Sequence, residues 1–366
     1  MRAVILVGGK GTRLRPITYD IPKALVPLRN QPFMGYMVDF LRSGGLDGAV
    51  LSLGYLPDQI QAYFASQDLD GFSIDYAVED YPLGTAGGIK NAERYLDGGT
   101  MVVVNGDVLT GMDLGKAIER HKATDALATI TLTSVEDPTA YGLVEVDHEM
   151  LVHRFLEKPA YDEISTNLVN AGVYVLEPEV LEMIPADREV SIEREIFPEL
   201  QAQDRLYAYV SSSYWKDIGT PRSYLAASND VLSGAVGARE DFEYLDVHPS
   251  TQVGKNVKLL PPVSIAEGCE ISNGATIGGR SSLGLGCRVG ERAVVESSVL
   301  LDGAEVEAGA VVRGSIIGPR ARVGHGAIVR GMSVLGAGCV VGEGNVLDQG
   351  IRVNPGVFVP PRSLSF

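Results

Sequence analysis

Between Val253 and Val359 an aliphatic residue returns at almost every sixth position. The series runs Val253, Leu259, Ile265, Ile271, Ile277, Leu283, Val289, Val295 and Leu301, then steps by five to Val306, six to Val312 and five to Ile317. It resumes in sixes through Val323, Val329, Leu335, Val341, Leu347, Val353 and Val359. So short a fixed period excludes an ordinary layered domain. Each repeat is too small to bury its own apolar residue and must stack on its neighbours, which makes a solenoid. Gly or a small polar residue usually follows two or three places later, as in Ile265-Ala266-Glu267-Gly268. One inward residue in six means short faces and tight corners, and glycine supplies the positive φ that such corners ask for. Residues 247–366 are therefore expected to form a left-handed parallel β-helix.

The first 232 residues have other periods. Runs rich in Val, Ile and Leu at 3–7, 48–53, 100–104, 127–132 and 169–176 read as strands. Helical spacing of apolar positions occupies 33–41, 57–65, 87–96 and 114–122. Alternating strands and helices predict an α/β domain over 1–232, a Rossmann-like, mostly parallel mixed sheet covered on both faces. Its ligands should bind where the carboxyl ends of the strands open into loops. Residues 233–246, with Gly234, Gly237 and Glu240-Asp241-Phe242-Glu243, read as the linker.

A net charge of −16 argues against broad nucleic-acid binding, which needs a basic surface. No apolar run approaches the roughly 20 residues of a membrane-spanning helix. Met1 leads straight into a strand with no secretion signal, and Cys269, Cys287 and Cys339 show no metal-ligand or disulfide spacing. A cytoplasmic protein with buried free thiols is expected, so an anionic substrate must be met by locally placed cations.

Such cations flank a glycine-rich loop that follows the first strand directly, Gly8-Gly9-Lys10-Gly11-Thr12-Arg13. Backbone N–H groups at this place can turn towards an anion. The Lys10 spacing differs from the Gly-x-x-x-x-Gly-Lys phosphate loop, and Leu14 stands where the dinucleotide fingerprint needs its third Gly. Arg13 and Lys23 supply two cations for a triphosphate whose charge grows in the transition state. Asp107 closes the strand of 100–104. Magnesium takes one or two carboxylates plus phosphate oxygens and water, which calls for a second Asp, and Asp217 beside the single Trp215 is the candidate.

The run Leu6-Val7-Gly8-Gly9-Lys10-Gly11-Thr12-Arg13-Leu14-Arg15-Pro16, followed by Pro22-Lys23, resembles the signature of the sugar-nucleotide pyrophosphorylases. Further matches are Pro82-Leu83-Gly84-Thr85-Ala86-Gly87, Asn105-Gly106-Asp107, Tyr141-Gly142, Glu157-Lys158-Pro159, Asn170-Ala171-Gly172 and Trp215-Lys216-Asp217-Ile218-Gly219. Many of these enzymes carry a C-terminal hexapeptide β-helix, so the resemblance spans nearly the whole chain. Order and spacing are most similar to the branch using GTP and mannose 1-phosphate, and Ser191-Ile192-Glu193-Arg194-Glu195-Ile196-Phe197-Pro198 strengthens that likeness.

The resemblance implies a nucleotide site of Leu6, Gly8, Gly9, Gly11, Thr12, Arg13, Lys23, Glu79, Pro82, Gly84, Thr85, Asn105, Gly106 and Asp107. It implies a sugar-phosphate site of Gly142, Glu157, Lys158, Asn170, Trp215 and Asp217, and supports Asp107 and Asp217 as Mg2+ ligands. Arg13, Lys23, Asp107 and Asp217 are the expected catalytic groups. Relatives using thymidine triphosphate carry an amide where Glu79 stands. A carboxylate accepts two hydrogen bonds and donates none, which suits guanine N1–H and N2–H₂ and opposes thymine O4.

Three rivals remain open at this stage: glucose-1-phosphate thymidylyl transfer or guanylyl transfer to another sugar phosphate, acyl transfer with His325 or His248 as base, and a non-catalytic sugar-nucleotide sensor. A β-helix has ends and flat faces that need cover, so a homo-oligomer is expected.

Overall fold

The computed structural model describes residues 1–186, 188–236 and 242–365; Gly237, Glu240 and Asp241 of the expected linker lie outside them. The chain forms two compact units that interleave in sequence, Met1–Lys10 with Met34–Trp215 and Gly11–Phe33 with Lys216–Phe366.

Among the described residues the first unit is built on a nine-stranded sheet. Its strands are β1 Ala3–Val7, β2 Gly48–Leu53, β3 Ser73–Val78, β4 Met101–Asn105, β5 Ala128–Ser134, β6 Gly142–Val146, β7 Val152–Glu157, β8 Leu168–Leu176 and β9 Leu206–Val210. The order is β7-β6-β8-β4-β1-β2-β3, with β5 pairing β8 and β9 pairing β5. β1 lies parallel between β2 and β4. Strands buried on both faces have no need to alternate, which is why AVILV and the first four residues of MVVVN are continuous apolar runs. β8 runs antiparallel to β4, and its pairing with β5 is interrupted between Asn170 and Tyr174.

Helices α1 Phe33–Ser43, α2 Pro57–Ala65, α3 Gly84–Ala92 and α4 Leu114–Lys122 follow the expected spacing closely. α3 begins three residues earlier than the apolar pattern suggests and gives way to a 3₁₀ turn at Glu93–Tyr95. Its opening glycines lower intrinsic helix propensity, and contact with Val190 overrides them, the Ala86 N–H donating to Val190 O at 2.9 Å. Asp113 caps α4 by accepting from Lys116 N–H, which leaves the upstream Asp107 without that structural task.

In the second unit, residues from Leu245 to Val359 form three parallel sheets of seven, seven and six strands among the described residues, the left-handed β-helix expected. The inward column of one sheet runs Val247, Ile265, Leu283, Leu300, Ile317, Leu335, Val353. Leu300 therefore occupies the column where the repeat pattern points to Leu301. Both five-residue steps fall at one corner of the coil, after Glu296 and after Arg313. The serines at that corner are buried, and Ser298 Oγ accepts the Ser315 N–H of the next coil at 3.2 Å. Glycine is less necessary at corners than expected, since Arg292, Arg320, Met332 and Arg362 also take positive φ. Stacking of the coils outweighs the roughly 1–2 kcal/mol that a side chain costs there. Cys269, Cys287 and Cys339 are free and buried. Among the described residues no helix is long and apolar enough to cross a membrane.

Candidate active site

The carboxyl ends of β1, β2 and β4 set the first part of the site. Leu6 faces Ser52 on one side and Asn105 on the other, so the glycine loop leaves the sheet between two polar strand ends. Gly106 donates its N–H to Leu6 O at 2.9 Å, and a Cβ on Gly106 would stand 2.4 Å from that same oxygen. Only glycine allows the strand end carrying Asp107 to close on β1 in this way. Asn105 Oδ1, one residue before Gly106, is buried with no hydrogen-bond partner among the described residues. An orphaned buried acceptor costs about 1–3 kcal/mol, and it belongs to the residue two places before a hard oxygen donor, Asp107. That donor chemistry fits magnesium, which binds few protein carboxylates and completes its shell from phosphate and water. Among the described residues no cluster of three or more His, Cys, Asp or Glu could hold a metal.

Glu79 lies beneath the loop. Its carboxylate accepts from Ser52 Oγ at 2.8 Å and from Leu83 N–H at 3.3 Å. A Cβ on Gly8 would stand 3.0 Å from one carboxylate oxygen, and one on Gly88 3.1 Å from it. Two donors fix the group and leave lone pairs for two more. Gly9, by contrast, has nothing within 4 Å of where its Cβ would be; the fold does not need a glycine there. Pro82 is exposed. Gly84 takes φ of +73° where its Cβ would meet Val190 O at 2.5 Å, so its glycine serves a turn. Thr85 is committed elsewhere, its hydroxyl donating to Glu193 at 2.8 Å and accepting Ile192 N–H at 2.9 Å.

The same unit carries the expected sugar-phosphate residues. A Cβ at Gly142 would come within 3.0 Å of Glu157 Oε2, which places that carboxylate directly over the Gly142 backbone. Burial, with Glu193 adding like charge, pushes the Glu157 carboxyl above the usual range, opposed by Lys158 and Arg194. Lys158 adopts φ of +54° and donates its N–H to Tyr141 O at 3.0 Å. Asn170 is held at both ends, Nδ2 donating to Tyr174 Oη at 2.8 Å and Oδ1 accepting Gly172 N–H at 2.9 Å. Trp215 donates to Ala171 O at 2.8 Å and meets Tyr141 edge-to-face at 5.3 Å.

Two residues outside the expected site join this network. Glu193 lies on a π-helical turn, Ile192–Ile196, and accepts from Thr85 and Ser191, each at 2.8 Å. Tyr174 is fully buried with its hydroxyl against Asn170. A π turn often marks a functional position, but nothing in local spacing announces one. Tyr174 is hidden inside an apolar strand run, and only its hydroxyl separates it from a core residue.

In the second unit Gly11, with φ of +59°, opens a chain of three 3₁₀ turns at Thr12–Leu14, Ile17–Tyr19 and Lys23–Leu25. Thr18 Oγ1 donates to Gly11 O at 2.7 Å, and the Cβ of Lys23 packs beneath Gly11. Thr12 and Arg13 are exposed. A Cβ at Gly219 would stand 2.7 Å from Asp217 Oδ2 and 2.8 Å from an Arg13 guanidinium nitrogen, so this glycine lies against both groups. Gly219 N–H also donates to Asp217 Oδ2 at 3.1 Å.

Loop amides, cations and carboxylates arranged this way serve a reaction in which the substrates bring their own nucleophile and leaving group, which is the chemistry of an α/β nucleotidyltransferase. A family model described as nucleotidyl transferase matches residues 2–234, and one described as the GMPPB C-terminal domain matches 259–359. The chain belongs to the nucleotidyl transferase family. It is 38% identical over 309 residues to the mannose-1-phosphate guanylyltransferase of Mycobacterium tuberculosis, covering 84% of this chain and 81% of that one. It is 32% identical over 330 residues to the UTP–glucose-1-phosphate uridylyltransferase of Synechocystis sp., covering 84% and 85%. Among solved structures, HddC from Yersinia pseudotuberculosis complexed with GMP-PN aligns at 32% identity and a TM-score of 0.54, covering 63% of this chain and 99% of that one.

Proposed function

We propose that this protein joins GTP and mannose 1-phosphate, releasing pyrophosphate and forming GDP-mannose. The observation that carries the choice of base is Glu79, a carboxylate fixed by Ser52 and Leu83 N–H beneath the Gly8 backbone with acceptor capacity to spare. Guanine N1–H and N2–H₂ are donors that such a group accepts. The 38% identity to a mannose-1-phosphate guanylyltransferase supports the same substrates, and the uridylyltransferase relative shows that the family spans other bases and sugars.

A sugar 1-phosphate is an anionic nucleophile at neutral pH, so its oxygen attacks the α-phosphorus in line with no protein base and expels pyrophosphate. The Gly8–Gly11 backbone amides hold the triphosphate, Arg13 meets the leaving pyrophosphate and Lys23 neutralises the reacting phosphates. Glu157 accepts sugar hydroxyls, Asn170 and the Gly142 backbone complete the sugar pocket, and Lys158 binds the sugar phosphate. Asp107 and Asp217 would hold a magnesium ion, whose charge would offset that of the phosphates.

A matrix of nucleoside triphosphates against sugar 1-phosphates, read as pyrophosphate release with and without magnesium, tests this function. GTP with mannose 1-phosphate should give the highest kcat/KM. A preference for dTTP or UTP that Glu79→Gln leaves unchanged would overturn the base assignment. We further propose a cytoplasmic homo-oligomer; Val253, Leu260, Val357 and Phe358 are exposed on the β-helix. A monomer mass in light scattering at micromolar concentration would contradict it.

A further inference from the structure

Five arginines of the β-helix pair with an acid on a neighbouring coil, Arg288 with Glu305, Arg313 with Glu296, Arg322 with Glu307, Arg330 with Asp348 and Arg362 with Glu343. Arg352 instead reaches off the coils: its Nη1 donates to Arg13 O and Arg15 O, both at 3.1 Å.

The contact is one end of a longer seat. Asp246, Ser264, Ser282, Val299, Ile316, Val334 and Arg352 are in register on successive coils. Each alternates with the inward column, so the series lies on the outer face of its sheet. An outer face should be wet and polar, yet Val299, Ile316 and Val334 are 1%, 0% and 0% exposed. At the first end, Arg29 pairs with Asp246 at 3.4 Å and Asn30 Nδ2 donates to Ser264 Oγ at 3.0 Å. At the other, roughly 29 Å away for six coil steps of about 4.8 Å, Arg352 takes the carbonyls of Arg13 and Arg15. Gly11–Phe33 belongs to the same compact unit as the β-helix, while the loop up to Lys10 belongs to the other.

We infer that Arg352 is a positioning residue for nucleotidyl transfer, acting through the loop backbone between Arg13 and Arg15. A side chain can be aimed only as well as its backbone is held, and in a loop of 3₁₀ turns these two carbonyls have no strand ladder to fix them. The pinned backbone carries the Arg13 guanidinium that lies with Asp217 against Gly219. The β-helix thus sets the position of a catalytic cation, a task beyond packing or oligomerisation. This rests on reading Gly8–Arg13 as the triphosphate loop.

The full-length protein tests it through Arg352→Ala, Arg352→Lys and, as a control on another sheet of the same helix, Arg288→Ala. Wild-type pyrophosphate release establishes the underlying activity first; its absence with every nucleotide and sugar phosphate would refute that reading and this inference with it. Given activity, Arg352→Ala should lower kcat by about tenfold to a hundredfold while KM for the sugar 1-phosphate stays within twofold, because Glu157 and Asn170 are fixed within the other unit. Arg352→Lys, which keeps a cationic donor, should recover much of the loss, and Arg288→Ala should match wild type. Arg352→Ala kinetics equal to those of Arg288→Ala would overturn the inference, whatever the melting temperatures. So would a fall in kcat matched by an equal rise in sugar-phosphate KM, which marks general loosening.

Discussion

Gly106→Ala puts the geometry of the strand end to a quantitative test. The new Cβ would lie 2.4 Å from Leu6 O, where real contacts are at least 3.0 Å, so something must move by no less than 0.6 Å. Leu6 cannot yield, because β1 is laddered on both sides by β2 and β4. The Gly106-Asp107 turn moves instead, and the 2.9 Å bond from Gly106 N–H to Leu6 O is strained or lost. Losing that bond and overpacking the turn cost about 1–3 kcal/mol, which lowers Tm by roughly 2–10 °C in a unit of this size. A misplacement of about 1 Å near reacting atoms costs about a hundredfold; a shift of this size should reduce kcat by roughly ten- to a hundredfold. Pyrophosphate release at saturating GTP and mannose 1-phosphate measures the turnover, and circular dichroism the melting. A kcat within twofold of wild type would refute the placement of Asp107 by this contact, even if Tm falls as expected.

Gly9→Ala makes the opposite case, since no atom lies near its added Cβ: Tm should stay within about 1–2 °C while KM for GTP rises about tenfold or more, and unchanged GTP kinetics would remove Gly9 from the triphosphate site. Lys23→Ala keeps the Cβ that supports Gly11, so kcat should drop at least about tenfold without loss of fold; near wild-type turnover at saturating substrate would exclude Lys23 from catalysis. Glu157 has a raised carboxyl pKa, from burial and then Glu193, so its stabilising contribution is present below the unfolded value and lost as pH rises through the folded one. Glu157→Gln should therefore raise Tm by about 1–3 °C at neutral pH, with the gain vanishing in acid, while KM for the sugar phosphate increases. In wild type, that affinity should weaken on acidification at higher pH than an ordinary glutamate would give. A Tm difference independent of pH, or an unchanged KM, would contradict the assignment.

Much of this protein is legible in one dimension because its elements bury residues at fixed intervals. The six-residue period specifies the β-helix, since each coil repeats one local solution. The same holds for β1 and β4, whose continuous apolar runs admit little besides a buried parallel strand. Glycine signatures carry less than they suggest: Gly84 and Gly106 answer to backbone approaches, whereas Gly9 faces open space. What the chain could not announce are relations between distant residues. Glu193 joins Thr85 across a sequence separation of 108, and Leu300 displaces Leu301 from the inward column because the corner shortens. Arg352 looks like any other arginine of the repeat until the outer face of its sheet is found buried and its partners prove to be two loop carbonyls. Periodicity is a local property and survives projection onto sequence. The choice of partner for a side chain depends on which segments the fold brings together, and only the tertiary structure contains that information.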